Sequence, residues 1–299
     1  IIDKTMKLFE IGDGLKSIEV SDRYYSDWED EGQTVILYTA ENDDIEIRIS
    51  VLSVTPKEES DADKVFNYVI QRGEKEGYPV KIAKEKSFYQ YTVESEEESI
   101  VIFHYMVGYE WSYIIFSMTT SQERRSDPEI MRTLEEVEQM VVTITEVNPE
   151  KATIFEPKYS DYKEIYERVS QILGIKEVEI DDFHQDNKTL SLLQAVLDEE
   201  EFGAEETYEL QSMGLALGDY IQYKERDFRW AIIRDEYGRD LCLQNQRFSI
   251  TLFPMSWIEK RVKEGEEVWV KGFVEALFEK IEEVVDEDEE GENNSESGE

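Results

Sequence analysis

"MGLALGDYIQYKERDFRWAIIRDEYGRDLCLQ", residues 213–244, passes from one hydrophobic period to another. Up to Lys224 the apolar positions follow a helix. From Phe228 the chain reads as two short strands that turn at Asp235 to Gly238, a hairpin with Trp230 and Ile232 on its buried face. Gly214 and Gly218 stand four residues apart, a spacing that lets a helix approach the hairpin closely, as a packing device in an acidic chain without membrane-length apolar runs. A helix and a hairpin in one stretch set the class as α+β.

The same stretch concentrates charge. Between 224 and 247, Lys224, Arg226, Arg229, Arg234, Arg239 and Arg247 stand against five acids, a slightly positive island in a chain of net charge −39. Asp235, Glu236 and Asp240 flank the turn glycine Gly238, and paired carboxylates can do acid–base work or hold a metal. The structural account is the stronger: Asp and Gly build the turn, and the arginines pair with carboxylates across strands. Arg229, Arg234 and Arg239 are retained as binding candidates.

Outward from the hairpin, "YKEIYERVSQILGI", "KTLSLLQAVLDE" and "AEETYELQSMGLALGDYI" are helical, as is "WVKGFVEALFEKIEEVV" beyond it. The C-terminal domain is thus mostly helical with a small β-hairpin sheet. From about Gln33 to Thr120 the period is that of strands. In "DIEIRISV", Ile45, Ile47, Ile49 and Val51 alternate with Glu46, Arg48 and Ser50; "QTVILYTA" precedes it across "ENDD". "SFYQYTV", "SIVIFHYMV" and "WSYIIFSMT" then form a meander. Two helices accompany these strands. One starts near Ser60 and Asp63, at capping-box spacing, and stops at Gly77 and Pro79; the other follows Ser126 and Pro128 with a stripe of Ile130, Leu134, Val137 and Val141. The N-terminal domain is therefore an antiparallel sheet covered by helices. With Pro149 and Pro157 marking a linker at 147–158, the expected organisation is a first domain over 1–147, a second over 158–285 and a disordered acidic tail over 286–299.

Of 299 residues, 71 are acidic and 32 basic. "DEDEEGENNSESGE", from Asp286, holds only part of that excess, so the folded portion is acidic in its own right. Such a field repels polyphosphate and anionic lipid, which argues against nucleic-acid and membrane partners; it suits either solubility or a basic protein partner. No apolar run approaches membrane-spanning length. Cys242 is the single cysteine, which excludes an internal disulfide and fits a reducing, cytoplasmic setting; in "DLCLQ" it reads as a small buried hydrophobe.

Two histidines, His104 and His184, cannot build a structural zinc set. His104 shares a strand face with Ile100, Ile102 and Met106 and is expected to be a core or interfacial ring. His184, in "IDDFHQDN", reads as an exposed loop residue beside Asp181, Asp182 and Asp186. Phosphate-cradling, dinucleotide-binding and nucleophile-elbow motifs are missing. "DEDEEG" imitates the start of a calcium loop, but its twelfth position is Ser297. No cofactor or metal is expected.

"MGLALGDYI" and "FRWAIIRDEYGRDLCL", followed by "FPMSWIEKRVKEGE", resemble a bacterial family known as a domain of unknown function, over most of residues 160–285. The first half loosely resembles the PsbP-like α/β sandwich in element order. Neither resemblance implies catalytic residues. The expected function is that of a soluble, bacterial-type, non-enzymatic protein-binding module, immunity- or adaptor-like, using an acidic surface against a basic protein. The alternatives are a carboxylate-based or metal-assisted hydrolase centred on Asp235, Glu236 and Asp240, and a mimic of nucleic-acid charge.

Overall fold

A computed structural model describes residues 6–12, 14–29, 34–39, 42–54, 62–248 and 250–296, with backbone alone at 42–44, 62 and 284–296. The chain divides into two compact units. Unit 1 is Ile1–Tyr162 with Ile232–Asp240, and unit 2 is Lys163–Ala231 with Leu241–Glu299. The fold is α+β, built on antiparallel sheets.

Unit 1 opens with β1 (Met6–Ile11) and β2 (Lys16–Ser21), an antiparallel pair extended by β10 (Thr145–Glu146). A seven-stranded sheet follows, from β3 (Tyr24–Glu29), β4 (Thr34–Thr39), β5 (Asn42–Ser53), β6 (Val80–Ala83), β7 (Lys86–Ser95), β8 (Ile100–Tyr109) and β9 (Ser112–Ser121). Its order is β3-β4-β5-β9-β8-β7-β6. The alternation read in β5 is the alternation of faces: Ile45, Ile47 and Ile49 are buried while Arg48 is partly exposed. β1, β2 and β3 precede the stretch in which strand periodicity is evident. Their local pattern is weak because both strands of the β1–β2 pair carry long buried runs, Phe9–Ile11 and Lys16–Ile18 among them, in place of clean alternation.

Two helices cover opposite faces. α2 (Pro128–Thr143) has Pro at its start and buries the expected Ile130, Leu134, Val137 and Val141, with Thr133 and Met140, in one core with β1, β2 and the facing side of the large sheet. α1 (Ala62–Glu76), ending before Gly77 at φ +79°, packs Val69 on Tyr89 and Met106 of the other face. Ser60, its expected cap, lies outside the described residues. His104 is on this second face, stacked on Tyr91 with ring centroids 4.8 Å apart. Burial lowers its pKa, favouring the neutral ring.

The segment expected as a linker contains β11 (Thr153–Phe155), which pairs antiparallel with Ile232–Arg234. Unit 1 accordingly runs on to Tyr162 and takes in the hairpin tip. Three residues between prolines give no local strand signal, and their pairing partner is about 80 residues away in sequence.

Unit 2 carries α3 (Tyr159–Leu173, from Lys163 on), α4 (Ile180–Gln185), α5 (Lys188–Asp198), α6 (Thr207–Lys224), the base of the hairpin formed by β12 (Phe228–Asp235) and β13 (Gly238–Asn245), β14 (Thr251–Leu252), α7 (Pro254–Glu264) and α8 (Val270–Glu296). α6 is its central element: from Ser212 to Ile221 every residue is buried, as befits a helix packed on all sides. Gly214 and Gly218 make this possible. A Cβ at 214 would collide with the Pro254 backbone, and one at 218 would lie 2.9 Å from Cγ of Pro254 and 2.5 Å from the Trp230 ring. α8 continues as helical backbone through Glu296, across most of the stretch whose composition reads as a disordered tail; residues 297–299 lie outside those described. No helix among the described residues is long and apolar enough to cross a membrane.

Candidate functional site

The hairpin does not gather its three carboxylates. β12 ends at Asp235 and β13 begins at Gly238, so Glu236 and Tyr237 form a two-residue loop, with Tyr237 86% exposed. The Asp235 carboxylate accepts from the backbone N–H of Tyr237 at 2.9 Å, which is turn chemistry. Glu236 and Asp240 are exposed, and Asp235 is half-buried. No group of three or more metal-ligating side chains occurs among the described residues.

The arginines divide. Arg229 is exposed on β12 in unit 2. Arg234 and Arg239, in unit 1, converge on Glu10 of β1, which is 1% exposed. Arg239 Nε donates to Oε1 at 2.9 Å, while Arg234 Nε and Nη2 donate to Oε2 at 3.2 and 3.1 Å. Lys158, also buried, approaches Oε1 at 3.4 Å and sits 4.0 Å from the centre of the Trp28 ring. Arg239 Nη2 further donates to Asp161 at 2.6 Å, whose carboxylate also accepts from the Lys158 backbone N–H at the start of α3. Burial alone would disfavour the Glu10 anion, but the charges of Lys158, Arg239 and Arg234 and the Arg239 hydrogen bond outweigh it, leaving its pKa below the ordinary value. Burial drives the Lys158 ammonium pKa down against the pull of Glu10. Every cation of this hub is turned towards a carboxylate, so the hub is suited to tying β1, the hairpin tip and residues 158–161 together within unit 1. Glu10 carries no sequence signal, since a single acid in a short strand is indistinguishable from a surface one.

His184 is also placed differently from its sequence reading. It lies in α4, fully buried, and not in an exposed acidic loop. Nδ1 is 2.6 Å from Thr189 Oγ1 and Nε2 is 3.0 Å from Asp219 Oδ2. Each ring nitrogen thus has one hydrogen-bond partner, a hydroxyl on one side and a carboxylate on the other. Tyr220 packs edge-on at 5.7 Å and hydrogen-bonds Asn187. A hydroxyl, an imidazole and a carboxylate in this order have the connectivity of a nucleophile, its base and the group that orients the base. Thr189 is fully buried and Asp219 nearly so, which places this group in the interior of unit 2.

Two clefts of unit 2 border α7, one at its C-terminal end and one along its length from Pro254 to Arg261. At its C-terminal end a cleft of about 540 Å³ is lined by Asp198, Glu200, Glu266 and Glu267 over Leu197, Phe202, Val262 and Val268, with no cation among the described lining residues. The negative end of the helix dipole lies here, at Val262 and the C-cap Gly265. Trp269, next in the chain, is 62% exposed. Along α7 from Pro254 to Arg261, a cleft of about 290 Å³ has aromatic walls from Phe253, Trp257 and Phe273, and its ionisable lining residues are Lys260 and Arg261. Neither cleft is evident from periodicity, because each is closed by residues from separated segments.

Residues 189–273 match the profile of a family described as Domain of unknown function (DUF3806), inside the 160–285 span of the resemblance in sequence. Both clefts draw most of their lining from this region. No curated protein matches the chain. Among solved structures, a crystal structure from Bacteroides thetaiotaomicron VPI-5482 is 14% identical and aligns over 91% of this chain and 98% of that chain with a TM-score of 0.67, which shows a shared fold. The solution structure of cyanobacterial PsbP (CyanoP) from Synechocystis sp. PCC 6803 is 8% identical over 48% of this chain and 94% of that chain, with a TM-score of 0.32.

Proposed function

We propose that the chain is a non-enzymatic binding module that takes up a lysine- or arginine-rich segment of a partner protein in the acidic cleft of unit 2, in an adaptor- or immunity-like role. The observation that carries this reading is the sign of the lining: four carboxylates and the negative end of α7, with no cation among the described lining residues and Arg261 near one of them, 3.9 Å from Glu266. The apolar floor suits the methylene stems of Lys and Arg, whose charged heads would reach the acidic rim. The chain's net charge of −39 adds long-range steering of a basic partner.

The test is a titration of a fluorescent oligolysine peptide into the full chain. Neutralising Asp198, Glu200, Glu266 and Glu267 together should weaken binding far more than neutralising the exposed Glu74, Glu96, Glu97 and Glu123 of unit 1. The association rate should fall steeply as the Debye length shrinks from about 30 Å at 0.01 M to about 8 Å at 0.15 M salt, with dissociation changing less. Equal losses from the two quadruple variants would reduce the attraction to a general field and remove the cleft from the account.

A further inference from the structure

We infer that the second cleft, along α7 from Pro254 to Arg261, binds a small carboxylic acid with an aromatic body. Three observations converge. The cavity, about 290 Å³, lies at the small end of ligand sites, a size suited to a one-ring molecule and too small for a folded partner. Its walls are aromatic: the Trp257 and Phe273 rings stand 4.0 Å apart between centroids, Phe253 is partly exposed at the cleft, and Leu252 and Pro254 complete an apolar lining suited to ring stacking. The lining's ionisable groups are both cations, in a chain whose acids outnumber its bases more than twofold.

The two cations have different parts. Arg261 is a positioning residue: its guanidinium lies 4.3 Å over the Trp257 ring, and Nη1 donates to the Trp257 carbonyl at 3.1 Å, which fixes the aromatic wall. Its Nε is 3.9 Å from Glu266. Lys260 is exposed at the cleft and supplies the charge for a carboxylate. The neighbouring acid, Glu259, does not line this cleft; it accepts from Lys263 at 2.5 Å and Gln211 at 2.9 Å. A basic ligand would meet two like charges here, and a neutral aryl ligand would gain nothing from Lys260. The occupant is therefore an aryl-alkanoate, distinct in charge from the basic segment proposed for the acidic cleft.

Calorimetric titration of the full chain with 3-phenylpropionate, and with 3-phenylpropan-1-ol as its neutral counterpart, tests this. The acid should bind with Kd of about 1 mM or tighter, as its size allows, and the alcohol about tenfold more weakly. Lys260→Met should bring the acid down to the affinity of the alcohol, with the alcohol unaffected. Lys280→Met, an equal loss of charge on α8, should change neither. Equal binding of acid and alcohol, equal effects of the two lysine variants, or no heat from the acid well above millimolar concentration would each overturn the proposal. Both lysines are exposed, so neither substitution removes a core contact.

Discussion

Gly218 of α6 and Trp230 of β12 are fitted to each other: a Cβ on Gly218 would lie 2.5 Å from the indole ring, which is itself 1% exposed. Helix propensity alone would make Gly218→Ala stabilising by about 1 kcal/mol. Overpacking works against it and costs about 1–3 kcal/mol, because the ring is enclosed and Pro254 crowds the same position. We expect a net loss of stability in chemical denaturation. A gain would mean that Trp230 can move aside without cost.

Glu10→Gln should destabilise the chain by about 3–5 kcal/mol, since Lys158 would remain buried without its counter-charge. The pH dependence has a definite sign. Because the folded pKa of Glu10 is lowered, its contribution is fully present above the unfolded carboxyl value of about 4.3 and disappears as pH falls through the lower folded value. The acid limb of the stability curve should therefore be shallower in Glu10→Gln than in the parent. Parallel limbs would show that Glu10 titrates alike in both states.

At the buried histidine, Thr189→Val keeps the side-chain shape and removes the hydroxyl 2.6 Å from Nδ1. The orphaned ring nitrogen should cost about 1–3 kcal/mol, whereas Thr189→Ser should restore most of it. Denaturant midpoints of the three proteins give the comparison. No difference between Val and Ser would exclude a hydrogen-bonding role for Thr189.

Glu236→Gln and Asp240→Asn should leave the melting temperature unchanged, because both side chains are exposed at the hairpin tip. Arg239→Ala should lower it, because Arg239 joins Glu10 to Asp161. Calcium, magnesium or zinc should likewise leave the parent's melting temperature unchanged. A rise of several degrees that disappears in the hairpin carboxylate variants would restore the metal-assisted hydrolase.

A short window of periodicity and turn chemistry already carries part of this fold. Ile45, Ile47 and Ile49 announce one buried face of β5, Ile130 to Val141 announce the stripe of α2, and Asp235 to Gly238 announce a hairpin. Gly214 and Gly218 likewise signal a close approach, because a missing side chain on a helix demands a neighbour. Tertiary structure alone decided which charges matter. Glu10 becomes a buried hub through partners more than 140 residues away, His184 leaves its expected loop to meet Thr189 and Asp219, and β11 turns an apparent linker into a strand by pairing with β12. The two clefts beside α7 belong to the same class, since their lining is assembled from separated segments. Periodicity reports how a residue faces its immediate neighbours. The burial of a charge and the sign of a cavity depend on long-range pairing, which leaves no mark in any local window.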